Sequence, residues 1–186
     1  MEIQTLSTVR PATLADIKYI VSLSKGESNA IGFIPKAAYE TAITGIKKGK
    51  CWSNKSNTKL WVVEENGDLL GFLLMSFGKV ARINQICIQP DARQVERGKL
   101  MLQEGTQWAR NEHGLYEMTA CCANDLESNK FWKALDFVQV GTRNGKAWNN
   151  TWNETSDRLI NIYNKDEQPT IFTEGLFNGN TTTASR

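Results

Sequence analysis

The chain has 186 residues, 40% of them hydrophobic and 23% charged, with 22 Lys and Arg against 20 Asp and Glu for a net charge of +2. Those values fit a single soluble globular domain, long enough to bury a core without disulfides or a structural metal. They exclude a membrane span, because no apolar run approaches the ~18–20 residues a bilayer requires, while so mild a charge neither announces nor rules out nucleic acid.

One histidine, His113, is too few for a His-rich zinc site, and Cys51, Cys87, Cys121 and Cys122 have no metal-ligand spacing. Adjacent Cys121 and Cys122 are expected on opposite faces of a strand rather than in a disulfide. The chain starts without a charged region followed by an apolar stretch. The expectation is a reduced, cytoplasmic protein with no membrane partner.

Residues 3–9 alternate loosely and predict a first strand. Thr13 offers an N-cap with Asp16 three residues on, Ile17, Ile20, Val21 and Ser24 follow at helical spacing, and Gly26 stops the helix. Residues 27–33 read as a loop, and Pro35 opens a second helix to about Lys47 with Ala38, Ala42 and Ile43 on one face. The lysine-rich stretch 47–59, which contains Trp52, reads as a solvated loop, although its charge also suits a polyanion. Residues 60–64 and 69–77 predict two strands joined through Asn66-Gly67, a strong hairpin signal. Residues 81–88 predict a third strand ended by Pro90, so the chain begins as an antiparallel meander.

Met101, Leu102, Gly105, Trp108 and Ala109 share one face of a helix over residues 98–113, closed by Gly114. A strand at 116–122, a short helix at 128–135 and strands at 137–140 and 158–163 follow. The strand–helix–strand stretch 83–122 requires a right-handed crossover, so its two strands should be parallel and adjacent. Residues 166–186 read as a partly disordered tail behind a domain of residues 1–165.

The stretch Ile86-Cys87-Ile88-Gln89-Pro90-Asp91-Ala92-Arg93-Gln94-Val95-Glu96-Arg97-Gly98-Lys99 is a strand, a bend and a basic loop running into a helix. A helix N-terminus has unpaired N–H groups and partial positive charge, so an anion fits there. Arg93, Arg97 and Lys99 add charge, and Gly98 would admit close backbone approach.

Arg93-Gln94-Val95-Glu96-Arg97-Gly98 resembles the R/Q-x-x-G-x-G/A pyrophosphate loop of the GNAT superfamily of N-acetyltransferases. Asn124-Asp125-Leu126-Glu127-Ser128-Asn129-Lys130-Phe131-Trp132 resembles its second signature, an Asn-led helix reaching an aromatic pair. The order of elements agrees from Ile3 to Tyr163. The resemblance implies an α/β (α+β) GNAT fold: a mixed central sheet of about seven strands, mostly antiparallel, with a splayed parallel pair at its centre and helices on both faces. It also implies acetyl-CoA as acyl donor and an N-acyltransferase that passes the acetyl group directly to a primary amine. By position, Ile86, Cys87 and Ile88 would hold the pantetheine. Arg93, Gln94, Val95, Glu96, Arg97, Gly98 and Lys99 would hold the phosphates, and Asn124, Ser128 and Trp132 would flank the thioester.

Three positions depart from the family pattern. Glu96 replaces the first loop glycine and brings a negative side chain toward a pyrophosphate. Trp132 stands where a Tyr general acid is common, and indole N–H donates a hydrogen bond without giving up its proton. Gln85 stands in the region of a common Glu base and does not titrate. Glu27 and Asp125 are therefore the candidate catalytic carboxylates, receiving the amine proton directly or through water. Phe33, Trp52, Trp148 and Trp152 fall in or near loops that would line the acceptor site.

The acceptor itself, small molecule or macromolecule, is not written in these motifs. Two alternatives stand beside the acetyltransferase reading. One is a Mom-type, phage-borne DNA-base-modifying enzyme of the same fold, which the basic loop and the aromatics would suit. The other is a GNAT-fold binding module that has lost its chemistry, which the three departures would suit. A homodimer through the last strands is the further expectation.

Overall fold

The computed structural model describes residues 6–46, 57–93, 95–123, 126–144 and 157–163. Its strands are β1 (Thr8–Pro11), β2 (Thr58–Glu65), β3 (Asp68–Phe77), β4 (Ala81–Ile88), β5 (Met118–Ala123), β6 (Val138–Asn144) and β7 (Asp157–Tyr163). Its helices are α1 (Ile17–Gly26), α2 (Ser28–Ile31), α3 (Lys36–Thr44), α4 (Val95–His113) and α5 (Ser128–Ala134). One sheet runs in the order β1-β2-β3-β4-β5-β7-β6. All its neighbours are antiparallel except β4 and β5.

The hairpin forms where Asn66-Gly67 predicts it. Both residues have positive φ, 53° and 88°, as a tight primed turn demands. β2 and β3 are buried on both faces, so they read as near-continuous apolar runs. On one face, α1 and α3 cover Leu60, Val62, Phe72, Leu74 and Cys87 with Ile17, Ile20, Ala38, Tyr39 and Ala42. On the other, α4 and the α5 region cover Trp61, Val63, Leu73, Met75, Ile83, Met118 and Ala120 with Met101, Leu102, Ala109, Trp132, Leu135 and Phe137. The helical face expected of α4 is the one that packs, with Trp108 at its margin.

Several boundaries differ from expectation. β1 begins at Thr8 rather than near residue 3, and Leu6 is exposed. The stretch expected as a loop over 27–33 contains the single turn α2, whose start Glu27 caps by accepting from the Ala30 and Ile31 amides. Asp16 does reach back to the Thr13 amide, Oδ2 to N 2.7 Å, but the turn it closes is a 3-10 turn that leads into α1. β7 pairs with its hairpin neighbour β6 and also with β5, so it lies between them. Hairpin periodicity carries no information about that second partner. The lysine-rich stretch up to residue 56 (including Trp52), Trp148, Trp152 and the tail at 166–186 lie outside the described residues.

Candidate active site

β4 and β5 pair only through Ala81–Met118, Arg82–Thr119 and Ile83–Ala120. Beyond that point β5 stays with β7 and β4 stays with β3, so the two central strands part. The parting coincides with a bulge in β4: Leu74 faces Gln85 and Met75 faces Ile83, which leaves Asn84 as the extra residue. A bulge inverts the side-chain alternation and bends its strand. Ile83 accordingly belongs to the α4 face, whereas Cys87, an even number of residues later, is buried on the α1–α3 face.

The Gln89 amide donates to Leu70 O at 2.8 Å. Antiparallel pairs alternate, so Cys87 and Gln85 direct their main-chain groups at β3 while Ile86 and Ile88 direct theirs into the gap. No described strand pairs with β4 on that side beyond Ile83. Within the gap Arg93 Nε donates to Ile88 O at 3.3 Å.

The helix that follows starts at Val95, three residues before the expected Gly98, so the amides of residues 95–98 are those a helix leaves without intrahelical partners. Glu96 is exposed in the first turn, and Lys99 is half-buried. Arg97 turns its guanidinium away from that turn's amides. It donates to Glu65 Oε2 (2.7 Å), Ala92 O (2.7 Å) and Ser7 Oγ (3.3 Å), and is 14% exposed. Only its main chain is left to face an anion. Arg93 forms an ion pair with Glu27, which ties the α1–α2 turn to this loop. A side chain at Gly98 would put its Cβ 2.7 Å from the Phe131 ring, so the missing side chain is what lets α5 sit on the start of α4. Gln94 lies outside the described residues.

On the other side of β4, Gln85 is buried and fully bonded. Tyr39 Oη donates to its Oε1 at 2.6 Å, and its Nε2 donates to Gly32 O at 2.9 Å and Ile31 O at 3.2 Å. Ser24 Oγ lies 2.8 Å from Tyr39 Oη. Burial pushes the Tyr39 hydroxyl up to about 12, and does the same to the Cys87 thiol, so both are neutral at physiological pH. Tyr19, raised to about 12 by burial, reaches Gln89 Oε1 at 3.2 Å. Phe33, directly after the bonded Gly32, is 67% exposed.

Trp132 is buried between Phe131 and Phe137, and its Nε1 has no hydrogen-bond partner among the described residues. Ser128 opens α5, and Asn124 and Asp125 lie outside the described residues. The structure thus brings together Ile86, Ile88, Arg93, Glu27 and the start of α4. Tyr39 and Ser24 join them through Gln85, although the sequence reading gave them no polar role. Tyr39 stands beside Ala38 and one turn from Ala42 and Ile43, the apolar face already visible in the sequence, so a polar ring on that face was the available signal. Among the described residues no cluster of His, Cys, Asp and Glu could hold a metal, and no helix is long and apolar enough to cross a membrane.

An open strand edge suits a ligand that carries its own amides in line, and a helix N-terminus suits an anion. The two follow one another along this chain, as an elongated ligand with amides near its reactive end and phosphates farther along requires. Coenzyme A has that donor and acceptor order, so the residues present fit it.

The sequence profile of the acetyltransferase (GNAT) family matches residues 30–137. Among solved structures, a Salmonella typhimurium acetyltransferase that modifies the N-terminal serine of a 50S ribosomal subunit protein superposes with a TM-score of 0.68 at 14% identity, covering 88% of this chain and 96% of that one. NAA60 of Arabidopsis thaliana, in complex with a bisubstrate analogue, gives 0.67 at 11% identity over 85% and 97%. Spermidine N-acetyltransferase of Vibrio cholerae, solved with CoA and spermine, gives 0.63 at 14% identity over 84% and 94%. No curated protein matches the sequence closely. The profile spans more than half of the chain and includes both central strands and the loop between β4 and α4, so this protein belongs to the GNAT acetyltransferase family, and acetyl-CoA is its acyl donor.

Proposed function

We propose that this chain transfers the acetyl group of acetyl-CoA directly to a primary amine, with donor and acceptor bound at the same time. The observation that carries the reading is the parted seam of β4 and β5, where the main-chain groups of Ile86 and Ile88 face a gap that leads to the start of α4. Ile86 and Ile88 would hold the pantetheine, with Cys87 between them. The amides of Val95, Glu96, Arg97 and Gly98, with the side chains of Arg93 and Lys99, would hold the phosphates. Acetyl-CoA, when bound, supplies an activated acyl carbon and a thiolate leaving group.

What remains for the chain is to orient the amine and take its proton, since only a neutral amine attacks. Gln85 has no proton to exchange and both ends of its amide are in use. Glu27 accepts the proton through water, one of its oxygens being held by Arg93, with Asp125 as the second candidate. Trp132 Nε1, buried and without a partner among the described residues, would donate a hydrogen bond to an acyl oxygen rather than serve as an acid. The Salmonella relative's N-terminal serine and the Vibrio relative's spermidine are both amines, which supports the acceptor class.

Thiol release from acetyl-CoA tests the reading, with spermidine and a peptide bearing a free N-terminal serine as acceptors and the N-acetylated peptide as blank. Release above the blank is expected, and Arg93→Ala should raise KM for acetyl-CoA about tenfold, the scale of one charge-assisted hydrogen bond. No release with either amine, together with no acetyl-CoA binding by calorimetry, would sink it.

A further inference from the structure

The buried polar chain Ser24–Tyr39–Gln85 is placed where the sheet opens. Gln85 is the first β4 residue after the bulge at Asn84 and the second after the last contact with β5. Its amide is used from both ends. The oxygen accepts a hydrogen bond from the Tyr39 hydroxyl, and the nitrogen donates its two hydrogens to the carbonyls of Ile31 and Gly32, the end of α2 and the residue after it. Ser24 ties the same hydroxyl to α1. One neutral side chain thus joins α1, α3 and β4 to the segment that carries the exposed Phe33. A carboxylate cannot do this, because it has no hydrogen to offer two carbonyl oxygens.

We propose that Gln85 is a positioning residue: it holds residues 31–33 against β4 at the opening of the sheet and so sets the acceptor side of the site. This rests on the acetyltransferase reading for the word acceptor, but the clamp itself is judged without catalysis. The titratable groups on this face are Tyr19 of α1, Tyr39 of α3 and Cys87 of β4, all neutral through burial. Of the charges that reach them, Glu27 and Arg93 act on Cys87 and pair with each other, and Asp91 acts on Tyr19. The other groups packed there, Ser24 of α1, Ile31 of α2 and Leu74 of β3, do not titrate.

Amide hydrogen exchange of the full chain, read as the ratio of variant to wild type for the 31–34 segment, is the first test. In Gln85→Leu the two carbonyls lose their donor, and exchange there should rise about tenfold while β3 and β4 stay as in wild type. In Gln85→Glu the ratio should be about ten at about pH 8 and fall toward one at about pH 5, because a protonated carboxyl again donates to a carbonyl. A ratio near one for both variants, or a Gln85→Glu ratio that does not change with pH, would overturn the clamp.

With whichever amine wild type turns over, Gln85→Glu should raise KM for that amine about tenfold at neutral pH and leave KM for acetyl-CoA unchanged. A Gln85→Glu enzyme whose kcat instead rises with pH above wild type would make position 85 a base site and overturn positioning. Failure of the transferase reading shows separately, as no thiol release by wild type, and the exchange ratios then decide the clamp alone.

Discussion

Arg10 sits at the edge strand with three short contacts to carboxylates: Nη1 and Nη2 to Asp16 at 2.9 and 3.1 Å and Nε to Glu64 at 2.9 Å. The guanidinium, acting against burial and helped by the Thr13 amide and hydroxyl, holds the Asp16 carboxyl down at about 2. A depressed carboxylate stabilises the fold above its unfolded pKa near 4, and the contribution fades as pH falls from there toward 2. Asp16→Asn should therefore cost about 1–2 kcal/mol at neutral pH, discounted for the exposure of Arg10. Urea titrations check this: the gap between variant and wild type should narrow as pH falls toward 2.5, and a constant gap would count against the charge. Gly98 offers a second test at this scale. Gly98→Ala pushes a methyl into the Phe131 ring and should cost about 1–3 kcal/mol. In a Phe131→Ala background the same change should be neutral or gain up to about 1 kcal/mol, because alanine is the better helix former. Additive costs would mean that Phe131 is not what confines Gly98.

Among the elements, β4 decides most. Its sequence Ala81-Arg82-Ile83-Asn84-Gln85-Ile86-Cys87-Ile88 reads as one regular strand, yet Ile83 and Cys87 are buried in different cores because Asn84 is bulged. Removing Asn84 would leave every remaining side chain on its present face while straightening the strand, since one deleted residue cancels one extra residue. The expected outcome is a folded protein with native far-UV circular dichroism and acetyl-CoA affinity lowered at least about tenfold, because β4 would stay beside β5 and close the gap. Native affinity in the deletion variant would show that the parting of the strands has another cause. The helix after β4 was legible as an element. Its start lies three residues ahead of where the apolar pattern marks it, because Val95, Glu96 and Arg97 add little to the apolar face of the rest of α4.

For the molecule as a whole, the sheet divides two apolar cores and the gap opens at the central pair, so a ligand bound there braces strands belonging to both. Acetyl-CoA at a hundred times its dissociation constant should add ~2.7 kcal/mol and raise Tm by about 5–10 °C for a chain of this size. A thermal shift with Arg93→Ala should be smaller at the same concentration. An identical shift would place the phosphates away from this loop. Coupling between the cores also explains why Glu27 and Arg93, 66 residues apart, meet: α1 covers one face and the turn after it reaches the loop that leads to the other.

The sequence by itself determined the succession along the chain of the strands and of every helix but α2, the Asn66-Gly67 hairpin, the apolar faces of α1, α3 and α4, and the loop that carries the family resemblance. Each depends on periodicity, turn chemistry or a helix start within a few neighbouring residues. Only the tertiary structure decided that Arg97 is committed to Glu65 and Ser7, that Arg93 holds Glu27, that Gly98 makes room for Phe131, and that β7 lies between β5 and β6. The same holds for Gln85, whose partners lie at residues 31, 32 and 39. Those contacts join residues far apart in the chain, and which of them form depends on strand order and on a one-residue bulge that reverses which face a side chain meets.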